Sequence, residues 1–423
     1  MIDLLIRHAE ELLTLVGPVR PRVRAELDEL GIIQDGAVAA QDGQIVAVGS
    51  TSEIEHAVEI GPATEIINAH GCVVLPGFVD PHTHLVFAGD RAEEFNRRLQ
   101  GEPYLAILQA GGGILETVRA TRAASEAELQ HKAQIDLQAM LRHGTTTVEA
   151  KSGYGLAVED ELKLLRVVQQ LQSTTPLEIV STLLGAHTLP LEYRDRREAY
   201  VDLVIEQMIP RAAEAGLATF CDVFCEQGTF TLEETRRILR AGQAHGLQPK
   251  LHADQITANG GAQLAAEVRA ISADHLDQSD DAGLRELAQV GVVGVLLPGA
   301  TFFLGHGAPP TPLGRRLVDA GVAVAVASDY NPGTCPLLSM QLVIGLAAIR
   351  EGLTTAQAIS AATINAGHAV GRGSRIGSLE VGKQADMVVL AIPSHLHLPY
   401  RFGLNMVRDV IKRGRRVHKS GKG

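Results

Sequence analysis

Short runs of β-branched and apolar residues alternate with helical stretches through the middle of this 423-residue chain, and this alternation limits the fold more than any other feature. Segments rich in Ala, Leu, Arg and Gln separate most of the runs, and helices are predicted at residues 126–142, 159–172 and 232–244. Alternating strands and helices predict a parallel sheet, and eight such units over about 300 residues predict a (β/α)8 barrel of the TIM type. The eight candidate strands begin near Val73, Thr145, Glu178, Ala218, Pro249, Ala270, Val292 and Val322.

The two ends of the chain have β character and few helical segments. Residues 36–49 form two alternating runs around Asp42-Gly43, which predicts a hairpin. Residues 376–390 have the pattern of a strand, a glycine-containing turn and a second strand. We therefore expect an α/β fold in which residues 76–374 form the barrel. Residues 1–75 and 375–423 would form a composite, small β-sandwich domain beside it.

Composition excludes several classes of protein. The formal net charge is -11, from 38 basic and 49 acidic residues, whereas a nucleic-acid-binding surface needs clustered Lys and Arg. No segment has the pattern of a signal peptide or of a membrane span, and the four cysteines include no C-x-x-C pair. We expect a soluble, cytoplasmic protein whose partner is a small molecule, with no nucleic acid and no membrane. An anionic ligand would need a local cation, because the whole chain repels it.

Candidate metal ligands follow several of the predicted strands. His82 and His84 form an H-x-H motif, and residues i and i+2 of an extended segment point to the same side. His252 and His275 end two later strands, and Asp329 follows the eighth. The carboxyl ends of all barrel strands meet at one mouth, where active sites lie. Imidazole nitrogens and a carboxylate at that mouth suit Zn²⁺ or a similar first-row ion.

This ligand pattern resembles the amidohydrolase superfamily. The flanking segments resemble, more narrowly, the imidazolonepropionase family, and the resemblance extends from about Gly36 to the C-terminal region. That family opens the ring of 4-imidazolone-5-propanoate with water, giving N-formimidoyl-L-glutamate in histidine degradation. The segments are residues 80–91 (DPHTHLVFAGDR), 110–122 (AGGGILETVRATR), 145–156 (TTTVEAKSGYGL), 185–190 (GAHTLP), 222–226 (DVFCE), 252–255 (HADQ) and 328–334 (SDYNPGT).

The resemblance implies roles for individual residues. One Zn²⁺ or Fe³⁺ per subunit would be held by His82, His84, His252 and Asp329, in a homodimeric enzyme. His275 would activate or orient the water. The family has Glu or Gln at the position of Gln255, which leaves open whether this side chain moves protons as well as binding substrate. Substrate contacts are implied at Arg91, Tyr154, His187, Gln255 and Thr334, with Asn331 and Gly333 near the product.

The chemistry of the side chains fits this scheme. Asp329 can accept a proton from water and pass it to the leaving nitrogen, with His275 sharing the base and orienting roles. Arg91 follows the H-x-H strand, and its planar guanidinium can bind a carboxylate through two hydrogen bonds. Lys151 is either a structural residue near the site or, as in some amidohydrolases, a carboxylated metal bridge; we favour the structural role. Residues 111–113 are three glycines that suggest a lid or a close backbone approach, and residues 18–30 receive no role.

Two other functions are considered. Cytosine and guanine aminohydrolases share the histidine and aspartate pattern, but they usually carry a Glu three residues after the strand-five histidine. Here that residue is Gln255, which cannot ionise. A non-catalytic metal-binding protein on the same fold is the other alternative, and an intact set of polar residues at the strand ends argues against it.

Overall fold

Two separate eight-stranded sheets, one parallel and one mixed, form the framework of this computed structural model. The structure describes residues 1–102, 112–305 and 310–421. In these ranges the strands are, in chain order, β1 (Leu4–Leu13), β2 (Ile32–Gln41), β3 (Gln44–Ser50), β4 (Glu65–Asn68), β5 (Val73–Pro76), β6 (Phe78–Asp80), β7 (Thr145–Lys151), β8 (Glu178–Ala186), β9 (Phe220–Cys225), β10 (Gln248–Ala253), β11 (Ser272–His275), β12 (Val293–Leu296), β13 (Ala323–Val326), β14 (Met387–Leu390), β15 (Val407–Lys412) and β16 (Arg415–Lys419).

Helices occupy most of the connections between the parallel strands. Short 3-10 turns lie at Arg24–Asp28 and Leu191–Tyr193, and a π turn at Val204–Met208 joins two helices. The α-helices of the described ranges are α1 (Thr51–Ala57), α2 (Ala92–Leu99), α3 (Ile114–Ala123), α4 (Glu126–Arg142), α5 (Val158–Leu171), α6 (Arg197–Leu203), α7 (Ile209–Glu214), α8 (Leu232–Ala244), α9 (Gly261–Glu267), α10 (Asp281–Val290), α11 (Pro298–Phe303), α12 (Leu313–Ala320), α13 (Met340–Arg350), α14 (Thr355–Ala361), α15 (Ile364–Ala369) and α16 (His397–Tyr400).

The parallel sheet is a nearly closed barrel in which β6 to β13 lie side by side in chain order. Hydrogen bonds just beyond the strand ends join its first and last strands. The His84 N–H donates to the Tyr330 carbonyl at 2.8 Å, and the Asp329 N–H donates to the His82 carbonyl at 3.1 Å. The Ser328 N–H donates to Asp80 Oδ1 at 3.0 Å. The residues that close the barrel are thus the ones that carry the candidate ligands. The α/β barrel class is confirmed.

The first barrel strand differs from the prediction, whereas the other seven begin within two residues of their predicted starts. The run that starts at Val73 is β5, and it pairs with β1 and β14 of the mixed sheet. The Gly77 N–H donates to the Asp386 carbonyl at 3.0 Å, and the next N–H, of Phe78, donates to Gly144 of the barrel at 3.0 Å. The chain therefore crosses from one sheet to the other at Gly77, and the barrel begins at Phe78.

The mixed sheet is built from both chain ends, in the order β16-β15-β14-β5-β1-β2-β3, with β4 paired to β1. The hairpin around Asp42-Gly43 is confirmed: both residues have positive φ, 51° and 79°, as a tight two-residue turn requires. Residues 376–390 yield one strand, β14, because residues 376–386 form turns. The exact domain boundaries at 75 and 375 stay a prediction.

Apolar residues fill the space between the barrel strands and the surrounding helices, and a second cluster covers the mixed sheet. In the part of the chain that the structure describes, no helix combines the length and the apolar character needed to cross a membrane.

Candidate metal centre and substrate cavity

Five side chains from four strand ends meet at the carboxyl end of the barrel. His82 Nε2 lies 3.5 Å from Asp329 Oδ1, and His84 Nε2 lies 3.7 Å from the same oxygen. The ring centres of His82 and His252 are 4.5 Å apart, and those of His252 and His275 are 5.4 Å apart. Two overlapping sets, His82 with His84 and His252, and His82 with His275 and Asp329, each hold ligand atoms within 4.8 Å of one another. Each of these five side chains is almost completely buried.

The donor atoms of this cluster fit a metal ion. His82 Nδ1 is 2.6 Å from Asp274 Oδ2, so the Nδ1 hydrogen is donated to that carboxylate and Nε2 is left as a lone-pair donor. Within the described residues, His82 Nε2 and His252 Nε2 are buried and have no hydrogen-bond partner. Buried polar atoms without a partner are costly, and a cation bound by these nitrogens and by Asp329 would satisfy them. His275 is a fifth candidate ligand, because its ligand atom lies within 4.8 Å of those of His82 and Asp329.

A buried ion network lies directly beneath the histidines. Lys151 Nζ is 2.7 Å from Asp222 Oδ2, 3.0 Å from Glu149 Oε1 and 3.4 Å from Asp274 Oδ2. Lys250 Nζ lies 2.8 Å from Glu149 Oε2. The amino group of Lys151 is therefore held by three carboxylates, which agrees with the structural role favoured from the sequence. Barrel interiors are usually packed with branched apolar side chains, so this polar layer is a specific feature of the site.

Two of these network carboxylates contact metal-site histidines. Asp274 binds His82, as described, and Asp222 Oδ2 lies 3.1 Å from His252 Nδ1. Asp274, Lys250 and Glu149 were not predicted from the sequence. Their signal is the alternation along each strand: Lys250 stands two residues before His252, on the same face, and Asp274 is paired in register with His252.

Burial sets the charge states of the site in the absence of an ion. It raises the pKa of the Asp329 carboxyl to about 7, although His252, Asn331 and Thr334 act in the opposite direction. Burial lowers the pKa of His82, His84 and His275 well below the ordinary value for histidine. Neutral imidazoles are the form in which histidine binds metal ions.

A cavity of about 510 Å³ opens directly above the cluster. Its volume suits a small molecule. Of the residues predicted for the site, all except His82 line this cavity, while His82 lies beneath it. The predicted site residues in the lining are His84, Arg91, Tyr154, His187, His252, Gln255, His275, Asp329, Asn331, Gly333 and Thr334.

Arg91 lies at the edge of the cavity, immediately before α2. Its Nε donates to Glu94 Oε2 at 2.9 Å, and its Nη2 donates to Glu94 Oε1. Glu94 also accepts a hydrogen bond from the Gly113 N–H at 2.9 Å. A Cβ added to Gly333 would lie 2.0 Å from Arg91 Nη1, so any other residue here would displace the Arg91 guanidinium from its present position. Gly111, part of the suggested lid, lies outside the described residues.

Tyr154 and His187 form one wall of the cavity. Their ring centres are 5.3 Å apart, and His187 stacks on His84 at 4.8 Å with the planes 10° apart. His187 Nδ1 is 3.0 Å from the Gly153 carbonyl, to which it donates its hydrogen. Burial lowers the pKa of His187 to about 3, so the ring is neutral.

A buried carboxylate fixes the turn that carries Tyr154. Glu161 accepts hydrogen bonds from the N–H groups of Gly153 at 3.0 Å, Gly155 at 2.7 Å and Leu156 at 2.8 Å. Gly153 has φ 107°, and a Cβ there would lie 2.8 Å from His187 Nδ1. The glycine in Ser-Gly-Tyr-Gly is thus required both by its backbone conformation and by the contact with His187.

Asn331 supports the site through its own loop. Its side-chain nitrogen donates to the Asp329 carbonyl and to Thr334 Oγ1, each at 2.7 Å. Its oxygen accepts from the N–H groups of Gly333 at 2.9 Å and Thr334 at 2.7 Å. Thr334 Oγ1 lies 3.3 Å from Asp329 Oδ2. The side chain of Asn331 is therefore engaged in shaping the loop that holds Asp329.

Gln255 lines the cavity between two anchored segments. Asp254, directly before it, accepts from the N–H groups at the start of α9, Gly261 at 2.8 Å and Ala262 at 3.1 Å. Glu226 accepts from the Ile256 N–H, directly after it, at 2.8 Å. Both neighbours of Gln255 are held in place, which anchors the backbone that carries its side chain.

This chain is similar to known proteins over most of its length. The model of the amidohydrolase family matches residues 73–417, most of the length, and the chain belongs to this family of metal-dependent hydrolases. An adenosine deaminase from Xanthomonas campestris, solved with bound zinc, has a similar fold, with a TM-score of 0.72 at 22% identity, over 98% of this chain and 92% of that one.

Within the family, the chain is similar over its whole length to imidazolonepropionases. It is 52% identical over 422 residues to the imidazolonepropionase of Symbiobacterium thermophilum, covering 100% of this chain and 98% of that protein. It is 51% identical over 425 residues to the imidazolonepropionase of Geobacillus thermodenitrificans, covering 100% and 99%.

Proposed function

We propose that this protein is an enzyme that hydrolyses the ring C–N bond of 4-imidazolone-5-propanoate to give N-formimidoyl-L-glutamate. Full-length identity of about half to imidazolonepropionases supports the activity. The observation that carries the proposal is the cavity itself, because it places a metal-binding cluster, a flat wall of rings and an arginine around one small volume. A flat, carboxylate-bearing ring matches these three features.

His82, His84, His252 and Asp329 would hold the ion. An ion bound to such ligands lowers the pKa of water towards ~7 and polarises a carbonyl group. We further propose that the ion is Zn²⁺ or Fe³⁺, one per subunit, since nitrogen and oxygen ligands suit both. Asp274 and Asp222 orient His82 and His252 from below, and such outer contacts fix the nitrogen that faces an ion.

The side chains around the ion transfer a proton from the water to the leaving nitrogen. Water adds to the ring carbonyl carbon, the C–N bond breaks, and the departing nitrogen takes up a proton. Asp329 accepts the proton of the water and delivers it to that nitrogen, while His275 orients the water or shares the base role. Gln255 donates a hydrogen bond to the substrate and need not ionise.

The substrate is held by its ring and by its carboxylate. Tyr154 and His187 would stack beside the ring, and Arg91 would bind the propionate. Asn331, Gly333 and Thr334 form the loop wall near the new carboxylate of the product. A homodimer in the cytoplasm is also proposed; the four cysteines, which are all free and buried, fit a reducing compartment.

The test combines metal analysis of the purified protein with an absorbance assay for loss of the imidazolone ring. We expect stoichiometric metal and rapid turnover of the imidazolone, with none of cytosine or guanine. His82→Ala should lose both metal and activity, whereas the exposed His56→Ala should lose neither. Stoichiometric metal and near-normal turnover in His82→Ala would exclude the ligand assignment. Faster turnover of guanine or cytosine by the wild-type protein would exclude the proposed reaction.

A further inference from the structure

The cavity has a second arginine, to which no role was assigned from the sequence. Arg98 lies in the last turn of α2 and lines the cavity together with Arg91. Among the described residues that line this cavity, these two are the ones with a permanent positive charge. In a chain of net charge -11, their charges favour a carboxylate at this edge of the cavity.

The charge of Arg91 is already balanced. Glu94 is buried and pairs with its guanidinium, which is 10% exposed, through two hydrogen bonds, and the two opposite charges leave the pair with no net charge. Arg91 can still donate hydrogen bonds to a ligand, but the adjacent Glu94 repels a second carboxylate. A carboxylate beside this pair would therefore gain from a further positive charge at the same edge of the cavity.

Arg98 is placed to supply it. It stands four residues after Glu94, on the same face of α2. Its guanidinium carbon lies 5.9 Å from the ring centre of Phe303, a distance at which a cation and an aromatic face attract. Phe303 in turn stacks on Phe95, with 4.5 Å between ring centres. In the described ranges Arg98 has no ion pair within 4.0 Å, although its charge helps to lower the pKa of Glu94. Two guanidinium groups and one carboxylate give the group of Arg91, Glu94 and Arg98 a net charge of +1.

We propose that Arg98 is a substrate-binding residue that recognises the carboxylate jointly with Arg91, and that it selects ring substrates bearing an acidic side chain. The proposal rests on the proposed function for the identity of the ring. Arg91 provides directed hydrogen bonds, and Arg98 provides the unbalanced charge. Neutral rings of the same size would gain nothing from Arg98.

The test compares Arg98→Gln with Arg97→Gln in the metal-loaded enzyme. Arg97 is the adjacent residue on α2, it pairs with Glu102 at 2.7 Å, and it does not line the cavity. Arg98→Gln should raise KM for the imidazolone by about 10-fold, the factor that 1.4 kcal/mol of lost binding free energy gives. The value of kcat should change little, and Arg97→Gln should resemble the wild type. Arg98→Lys, which keeps the charge, should recover much of the affinity.

Binding of a stable pair of probes separates this proposal from the reaction. Calorimetry measures the affinities of 3-(imidazol-4-yl)propanoate and of its neutral amide. We expect the wild type to prefer the acid, with the preference reduced about 10-fold in Arg98→Gln and the affinity for the amide unchanged. An unchanged preference, or an equal loss for acid and amide, would overturn the role of Arg98. If the wild type fails to hydrolyse the imidazolone but shows the expected preference, the proposed reaction fails and the role of Arg98 stands.

Discussion

Individual residues at the site adopt backbone conformations that are rare for their type. His275 has φ 75°, Asp329 has φ 54° and Asp254 has φ 50°, all in the left-handed region. Such conformations persist where the surrounding structure holds them, and they are frequent at functional sites. Here hydrogen bonds from the barrel seam and the Asn331 loop hold Asp329, so its side chain turns back over the histidines.

His275 can be distinguished from the ligands by experiment. Its distances make it a candidate ligand together with His82 and Asp329, whereas we assign it to the water. His275→Ala should therefore retain stoichiometric metal while kcat falls by about 10²–10⁴-fold, the usual loss for a removed acid–base group. Metal content and steady-state kinetics are measured on the same preparation, with metal-free His82→Ala for comparison. Loss of the metal in His275→Ala would make this residue a ligand.

At this scale the sequence predicted the histidines and Asp329 but not their charged supports. The histidines and Asp329 could be predicted because each follows a predicted strand, and strands can be recognised in a single sequence. Lys250 and Glu149 are stable inside the barrel because each meets an opposite charge from another strand. That pairing depends on strand order and register, which are properties of the assembled barrel. Glu94 and Glu161 were missed for another reason: Glu94 binds the Arg91 side chain and the Gly113 N–H, and Glu161 binds backbone N–H groups of the turn before its helix, contacts that have no sequence pattern.

Among the structural elements, the loops after the strands are held by buried carboxylates. Glu161 on α5 binds three N–H groups of the turn that carries Tyr154, and Glu226 binds the segment after Gln255. A carboxylate oxygen can accept several hydrogen bonds at once, which makes it an effective anchor for a turn. The cavity wall is thereby rigid before substrate arrives, a condition for precise positioning.

Glu161→Gln should loosen this wall. An amide has a single acceptor oxygen, so at least one N–H of the turn would lose its partner, at a cost of about 1.5–3 kcal/mol for a bond to a charged group. We expect a lower thermal midpoint and a higher KM, with metal content unchanged. The control is Glu159→Gln in the first turn of the same helix, whose side chain is 71% exposed and pairs with Arg211. Equal effects of the two substitutions would exclude the anchoring role of Glu161.

The helices and the loops differ in how far the sequence predicted them. Helices α4 and α8 have the predicted bounds, because local propensity and apolar spacing define them. Residues 18–30 had no assigned role, and the structure shows that they are held by Arg22. Its guanidinium is buried and donates to the carbonyls of Leu15, Val16 and Glu29. No periodic pattern encodes contacts of this kind.

At the scale of the whole molecule, the contacts that join the two sheets lie at the opposite end of the barrel from the candidate site. Glu178, at the amino end of β8, pairs with Arg372 at 3.0 Å and lies 3.9 Å from Lys412 of the mixed sheet. Lys412 pairs with Asp386 at 2.7 Å. In barrels of this type the amino ends of the strands contribute to stability and the carboxyl ends carry the active site. The two ends of this barrel differ in the same way.

The free energy of unfolding depends on pH, and His368 on α15 contributes to this dependence. Its ring packs on Gly373, and its buried Nε2 has no partner among the described residues. Burial, with a smaller contribution from Lys383, lowers the pKa of His368 from 6.5 to about 4. Between these values the unfolded chain binds a proton that the folded protein does not. The stability contributed by the neutral ring is therefore complete above pH 6.5 and is lost as the pH falls towards 4.

This predicts a difference between wild type and His368→Phe. From pH 7 to pH 5 the wild-type protein should lose about 2 kcal/mol more unfolding free energy than the variant, because one pKa unit corresponds to 1.36 kcal/mol. Burial raises the pKa of Asp80 to about 7, so the Asp80 carboxyl stabilises the fold as the pH falls. This contribution is the same in both proteins, and the difference between them therefore reports the contribution of His368. The measurement is the urea unfolding midpoint at the two pH values, with the exposed His70→Phe as the control. A variant that loses as much stability as the wild type would show that the His368 ring accepts its proton in the folded state as readily as in the unfolded chain.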